Sequence, residues 1–269
     1  MQKFRKDRYT VTIKKSLRLA YAFALLFFAQ HLLHAQNETP EQTAKRYQKS
    51  CDSGNPTDCL HLSDAYVAGI GVTKDQDKAT ALIQQAAGLY QKACDGGDST
   101  ACLKTGDMWM KYSHGNYDSA NPLYRKACDG GNSTGCYNLA VAYAFGYGLP
   151  VDNAQAAAFY QKACDGGHAS GCVDAGFMYS MGLKSPVPQD QARGTALFRK
   201  ACEDHKIVTN EQYYGILDDN IATGCEELGN AYKSGLGVPI DMVQAAAFYR
   251  KACDLGNSFG CDNLKKLGQ

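Results

Sequence analysis

The sequence predicts an all-α fold, a solenoid of stacked helix pairs, and three observations predict it. The spacing Cys, seven residues, Cys recurs at 51/59, 94/102, 128/136, 164/172 and 253/261, and a further pair, 202/225, keeps the same flanks around an insertion. Those flanks repeat as well. Each first cysteine has an aromatic four residues before it (Tyr47, Tyr90, Tyr124, Tyr160, Phe198, Tyr249), a lysine two before it and an acid one after it. Finally, counting from each second cysteine, positions 0, +3, +4 and +7 form one face of a helix. Position +4 is small (Ser63, Gly106, Ala140, Gly176, Gly229) and +7 aromatic (Tyr66, Trp109, Tyr143, Tyr179, Tyr232). Self-similarity of this kind marks a repeat architecture.

All 12 cysteines of the 269-residue chain fall in these pairs. An even count at regular spacing predicts disulfides and an oxidising compartment. The expected pairing is first with second: Cys51–Cys59, Cys94–Cys102, Cys128–Cys136, Cys164–Cys172, Cys202–Cys225 and Cys253–Cys261. Zinc is a poorer match, because its cysteine pairs sit two to four residues apart. The N-terminus points the same way. A basic leader from Lys3 to Arg18 precedes an apolar run, Leu19 to Ala29, too short to span a bilayer. Leu33-His34-Ala35 then offers a small residue at a cut. A signal peptide over 1–35 is expected, followed by a linker over 36–41 and repeats over 42–269. The expected location is secreted or periplasmic, without membrane contact after cleavage. Once 1–35 is removed, 21 basic and 26 acidic residues leave a net charge of −5. That argues against a nucleic-acid partner, whose affinity comes largely from phosphate neutralisation.

Taken in order, Gln42 to Cys51 reads as a lone helix ending in the first staple. Each repeat then has a helix A from the second cysteine, with Ser133 or Thr134 expected as N-cap in the clearest repeat. Trp109 stands where other repeats have tyrosine and is expected in the core. A glycine turn follows: Gly69-Ile70-Gly71, Gly146-Tyr147-Gly148, Gly235-Leu236-Gly237. Such glycines end helices in left-handed geometry. Helix B starts at an aspartate cap (Asp75, Asp152, Asp190, Asp241) and runs to the next first cysteine. First cysteines lie 43, 34, 36, 38 and 51 residues apart. The first repeat carries seven extra residues in helix B, nearly two turns, which keeps the buried face. The last interval holds an insertion over 203–224, and residues 258–267 make a truncated capping helix.

The pattern Leu-Gly-x-x-Tyr-x-x-Gly-x-Gly-Val-x-x-Asp followed by Ala-x-x-Tyr/Phe-x-x-Ala, clearest over 228–252, resembles Sel-like repeats, relatives of the tetratricopeptide repeat. With Ala-Cys-Asp-x-Gly, the Cys-x7-Cys staple and the leader added, the chain looks like the Helicobacter cysteine-rich protein family. The resemblance implies a right-handed αα superhelix with one disulfide per repeat. It also implies β-lactamase activity and affinity for penicillin-like ligands.

The residues themselves do not supply that chemistry. Beyond the leader there is no Ser-x-x-Lys, Ser-Asp-Asn or Lys-Thr-Gly for a serine β-lactamase, and no His-x-His or His-Glu-x-x-His for zinc. Gly131-Asn132-Ser133-Thr134-Gly135 matches the nucleophile-elbow pattern but lies between helices, where serine has a capping role. Catalytic residues are therefore not assigned, and no cofactor or metal is expected. What remains is a surface. Helix A positions +1, +5 and +8 lie about 100° from the buried stripe and are expected to line a concave groove. Asp64, Asp107, Tyr137, Val141, Phe177 and Asn230 are its candidate ligand-binding residues, the two aspartates facing one ligand. The alternative is that some of these pack between repeats. The expected partner is a peptide or protein, of host or cell-wall origin, or a β-lactam, bound by a monomer.

Overall fold

The computed structural model describes residues 38–182, 189–203 and 216–268, with side chains from 220 onward in the last stretch. The expected signal peptide and residues 204–215 of the insertion lie outside these. Every regular element among the described residues is a helix. The chain divides into two compact units, one ending at Leu89 and the other starting at Tyr90.

The N-terminal unit holds α1 (Pro40–Asp52), α2 (Pro56–Ala68) and most of α3 (Gln76–Asp95). Thr39 caps α1, and Gln42 returns its side chain to the Thr39 N–H, completing a capping box. Proline at the first helical position suits that start, since its missing N–H would be unpaired there anyway. The helix therefore begins at Pro40, inside the stretch expected to be linker. The small residue at +4 brings α2 against α3, and Ser63 Oγ donates to the Ala79 carbonyl at 3.0 Å. Helix α3 has 20 residues where α5, the next helix B, has 13, which accounts for the seven extra residues of the first repeat.

The C-terminal unit continues with α4 (Ser99–Tyr112), α5 (Tyr117–Asp129), α6 (Ser133–Phe145), α7 (Asn153–Asp165), α8 (Ala169–Met181), α9 (Gln191–Glu203), α10 (Ile216–Ser234), α11 (Met242–Asp254) and α12 (Ser258–Lys266). From α4 onward each helix packs against the next in sequence, the nearest-neighbour logic of a solenoid. Helix α10 begins at Ile216, so part of the insertion extends a helix A backwards to 19 residues.

Two glycine positions explain how closely these helices approach. The residue before the second cysteine is Gly135 in the third repeat, and a Cβ there would stand 2.6 Å from Ala127 Cβ. Gly171, Gly224 and Gly260 meet Ala163, Ala201 and Ala252 in the same way. That closeness sets the Cys128 and Cys136 Cα atoms 4.5 Å apart, within disulfide reach. Six disulfides, one per cysteine pair, join the end of each helix B to the next helix A. Chain-entropy arguments give each short bridge about 2.5 kcal/mol. The second position is in the turn. Gly146 ends α6 at φ 76°, and a Cβ on Gly148 (φ 68°) would stand 2.7 Å from Tyr117 Cβ at the start of α5. The turn of one repeat thus docks on helix B of the repeat before. Asn121 Nδ2 secures it by donating to the Tyr147 carbonyl at 2.8 Å, and Thr195 Oγ1 does the same for the Leu236 carbonyl at 2.7 Å.

The repeated lysine and acid also connect successive repeats. Lys126 reaches Asp95 at 3.2 Å, Lys162 reaches Asp129 at 3.3 Å and Lys200 reaches Asp165 at 2.8 Å. These pairs are solvent-exposed and screened by water, so their value is in register rather than in stability. Lys251 departs from the series and donates to the Cys202 carbonyl at 2.7 Å.

Two expectations need correction. Helix A starts three residues before its second cysteine, so its N-cap is the residue four before: Asn55, Asp98, Asn132, His168 and Asn257. Asn132, not Ser133 or Thr134, caps α6. Trp109 is 40 % exposed and lies outside the core. Tyr143 and Tyr232 at the same position stack on Phe159 and Phe248, with centroids 5.7 Å apart in each pair. The second repeat has Leu123 where those phenylalanines stand, whereas Tyr179, which faces Leu197 there, is covered by Arg193 3.9 Å over its ring.

Candidate functional site

A cleft opens where helix B of one repeat meets helix A of the next. In the C-terminal unit it measures about 560 Å³ and is lined by Asp107, Met110 and Lys111 of α4, Tyr117, Asn121 and Tyr124 of α5, Thr134, Asn138, Val141 and Ala142 of α6, and Tyr147 of the turn. In the N-terminal unit a cleft of about 460 Å³ is lined by Glu38, Pro40, Thr43, Ala44, Tyr47, His61, Asp64, Ala65, Ala68 and Ile70. Within the repeat these are the same place. Asn121 matches Ala44, Tyr124 matches Tyr47, Asn138 matches His61, Val141 matches Asp64, Ala142 matches Ala65, and Tyr147 matches Ile70.

Three of the six candidate groove residues line these clefts. Asp64 is exposed in the N-terminal one. Its neighbour in that lining, His61, contacts the Tyr47 ring at 4.9 Å and has Nδ1 3.3 Å from Asp58. Asp107 and Val141 share the C-terminal cleft. Asp107 is half-buried and accepts the Tyr124 hydroxyl at 3.2 Å. Burial raises its carboxyl above the usual range, against opposing contributions from Lys104 and Tyr124.

The other three are held in packing, which crosses to the next repeat only for Tyr137. Phe177 meets Phe198 edge-on, with centroids 5.1 Å apart. Asn230 accepts the Tyr249 hydroxyl at 2.7 Å. Tyr137 stacks on His168 at 4.4 Å and lies 5.5 Å from Tyr160. The +5 residue and the aromatic of its own helix B are matched in polarity in three repeats: Asp107 with Tyr124, Asn230 with Tyr249, Phe177 with Phe198.

Sequence reasoning missed the positions at +2 and at seven before the first cysteine. The second had a signal: Asn121 and Thr195 interrupt helix B where Ala157 and Ala246 stand in other repeats. It also missed a titratable group of the third and fourth repeats. Tyr137 donates to Asp174, whose carboxyl burial pushes up to about 6. Burial lowers His168 to about 4, and its Nδ1 accepts the Gly171 N–H at 3.3 Å as the cap of α8. Ser133, the elbow candidate, is 8 % exposed at the first position of α6, beside the capping Asn132. Among the described residues, no cluster of three or more His, Cys, Asp or Glu could hold a metal, and no helix is long and apolar enough to cross a membrane.

A family model described as the Sel1 repeat matches residues 58–98, 101–132, 133–168, 169–205 and 222–257. Among curated proteins, cytochrome c oxidase assembly factor 7A of Xenopus laevis is 39 % identical over 67 residues, which is 24 % of this chain and 29 % of that protein. The matching factor of Xenopus tropicalis is 36 % identical over 62 residues, 23 % of this chain and 27 % of its own length. The chain thus spans under a third of the length of these relatives. Among solved structures, a Sel1 repeat protein from Oxalobacter formigenes superposes with a TM-score of 0.56 at 21 % identity, covering 76 % of this chain and 75 % of that one. Cysteine-rich protein B of Helicobacter pylori is 26 % identical with a TM-score of 0.40, over 55 % of this chain and 95 % of that one.

Proposed function

The chain belongs to the Sel1-repeat family, and from that premise we propose that it is an exported binding scaffold whose inter-repeat clefts receive side chains of a peptide or protein ligand. Sel1 repeats are suited to protein interaction, and six disulfides fit a compartment outside the cytoplasm. The observation that carries the reading is the recurrence of one cleft at one register, with a tyrosine wall, polar residues at +2 and a variable +5 position. A pocket that returns with the repeat suits a ligand that offers one side chain after another. Variation among Asp64, Val141, Asn138 and His61 then gives each pocket its own preference.

β-Lactam hydrolysis is disfavoured by the placement of Ser133, which is buried at a helix start. A cell-wall peptide remains within the proposed ligand class.

The test is selection of displayed random peptides on the protein lacking residues 1–35. Selected peptides should lose at least tenfold in affinity for Asn138→Arg or Asp64→Arg, each of which fills one cleft, at unchanged melting temperature. Peptides that bind both variants as well as the parent would place the binding surface elsewhere. Turnover of a chromogenic β-lactam that Ser133→Ala abolishes without a change in melting temperature would restore the enzymatic reading.

A further inference from the structure

The C-terminal cleft holds an unmatched acceptor. Asn121 is 4 % exposed, and its Nδ2 donates to the Tyr147 carbonyl. A carbonyl can only accept, so chemistry fixes the amide orientation and leaves Oδ1 as the remaining atom. Asn121 Oδ1 is buried and has no hydrogen-bond partner among the described residues. Thr195 holds the equivalent turn of the fifth repeat through a single hydroxyl, so securing the turn does not require the extra amide oxygen.

The cleft's second acceptor is the Asp107 carboxylate, half-buried on the α4 wall. Thr134 and Asn138 on the α6 wall can each donate or accept, and apart from Lys111 the remaining lining is apolar or aromatic. Met110 and Val141 contribute aliphatic surface, and Tyr117 and Tyr147 stack with ring centroids 4.9 Å apart. The one cation of the lining, Lys111, is turned to the Tyr112 ring, with Nζ 5.0 Å from its centroid.

From these observations we propose that the α4–α5–α6 cleft is a subsite for a basic side chain of the bound peptide, its cationic head received by Asp107 and Asn121 Oδ1. Ammonium and guanidinium groups offer only donors, which is what two acceptors demand. Their aliphatic stems cover apolar surface while the head stays polar, matching Met110 and Val141 against Asp107. The tyrosine faces add attraction for a cation. Burial raises the Asp107 carboxyl against the Lys104 charge and the Tyr124 hydroxyl, which oppose it, so binding weakens as pH falls through that raised range. This subsite rests on the peptide-binding reading above.

The experiment is a titration of the isotope-labelled protein lacking residues 1–35, followed by NMR at the Asn121 side-chain amide and at the backbone amides of Val141 and Ala142, which also report in the Asn121 variant. The probes are Nα-acetyl-lysine methylamide, its arginine counterpart and the uncharged norleucine counterpart. Saturable shifts are expected with the two basic probes and none with norleucine, the stronger basic probe identifying which head the site prefers. Asp107→Asn should weaken the basic probes at least fivefold. Asn121→Thr, which keeps a donor for the Tyr147 carbonyl as Thr195 does, should also weaken them, with the Tyr147 and Gly148 amides unmoved. Equal responses to lysine and norleucine, or basic-probe affinity that survives both variants, would overturn the subsite. Peptides selected as above that contact this cleft without a basic residue would overturn it while leaving the peptide reading intact. No selected peptide and no probe response would remove both.

Discussion

At the scale of single residues, His168 and Asp174 show how two half-buried groups can hide each other. His168 has a folded pKa lowered to about 4, so the unfolded chain holds its proton more tightly. Its contribution to stability is lost as pH falls through about 6 toward 4. Asp174 has a folded pKa raised to about 6, so the folded chain holds its proton more tightly. Its contribution runs the other way, and stability falls as pH climbs from about 4 to 6. Each shift corresponds to at most about 3 kcal/mol, and the two slopes oppose each other over the same window. Denaturation measured from pH 4 to pH 7 should separate them. His168→Asn supplies the cap that Asn132 supplies to α6 and should gain on the parent most at pH 4, with the gain gone by pH 7. Asp174→Asn should gain on the parent progressively as pH rises to 6. Parallel curves for parent and both variants would show that neither group is perturbed. The cap itself was readable at this scale, since Asn or Asp stands four before the second cysteine in four repeats. Ser133 and Thr134, three and two residues before the cysteine, are also accepted cap types, so residue type alone does not single out Asn132.

At the scale of helices, the glycine before the second cysteine decides whether a staple can close. Gly135→Ala should cost about 1–3 kcal/mol, as overpacking does, because the new methyl meets Ala127 and the backbone of α5. Gly131→Ala meets nothing within 4 Å but sits at φ 87°, so it should cost about 1 kcal/mol from backbone strain alone. Ala127→Gly should restore part of the loss in the Gly135→Ala background and none in the Gly131→Ala background, as read by chemical denaturation. A Gly135→Ala variant as stable as the parent would show that the helices have room to part. Phe177→Ala should lower stability by about 2 kcal/mol, since the ring is wedged against Phe198. Helix identity, the glycine turns, the aspartate caps and the long α3 were legible because each is local, written within a few neighbouring residues. The faces were legible only in part. The +5 residues were placed on an open groove because periodicity on one helix cannot reveal a tyrosine arriving from the next. The Lys126–Asp95 contact was visible as two recurring letters but not as a contact, because its partners stand 31 residues apart.

On the scale of the whole molecule, the chain is linked in two alternating ways. A glycine turn without a covalent tie joins helix A to helix B within a repeat, and a disulfide joins helix B to the helix A that follows. Under tension this alternation governs how the protein comes apart. A pull on the two ends is carried across each bridge by covalent bonds, so the residues between paired cysteines never enter the stretched length. Between Cys136 and Cys164 the free chain amounts to 28 residues, and opening that helix pair should release roughly 9–10 nm. In reducing buffer the same repeat should release roughly 12 nm, because the staple residues now extend as well. Single-molecule pulling would record the two step sizes, and identical steps with and without reductant would mean that the bridges do not carry the load. A stapled solenoid of this design behaves as an extensible tether with built-in stops, able to yield one helix pair at a time without surrendering its full contour.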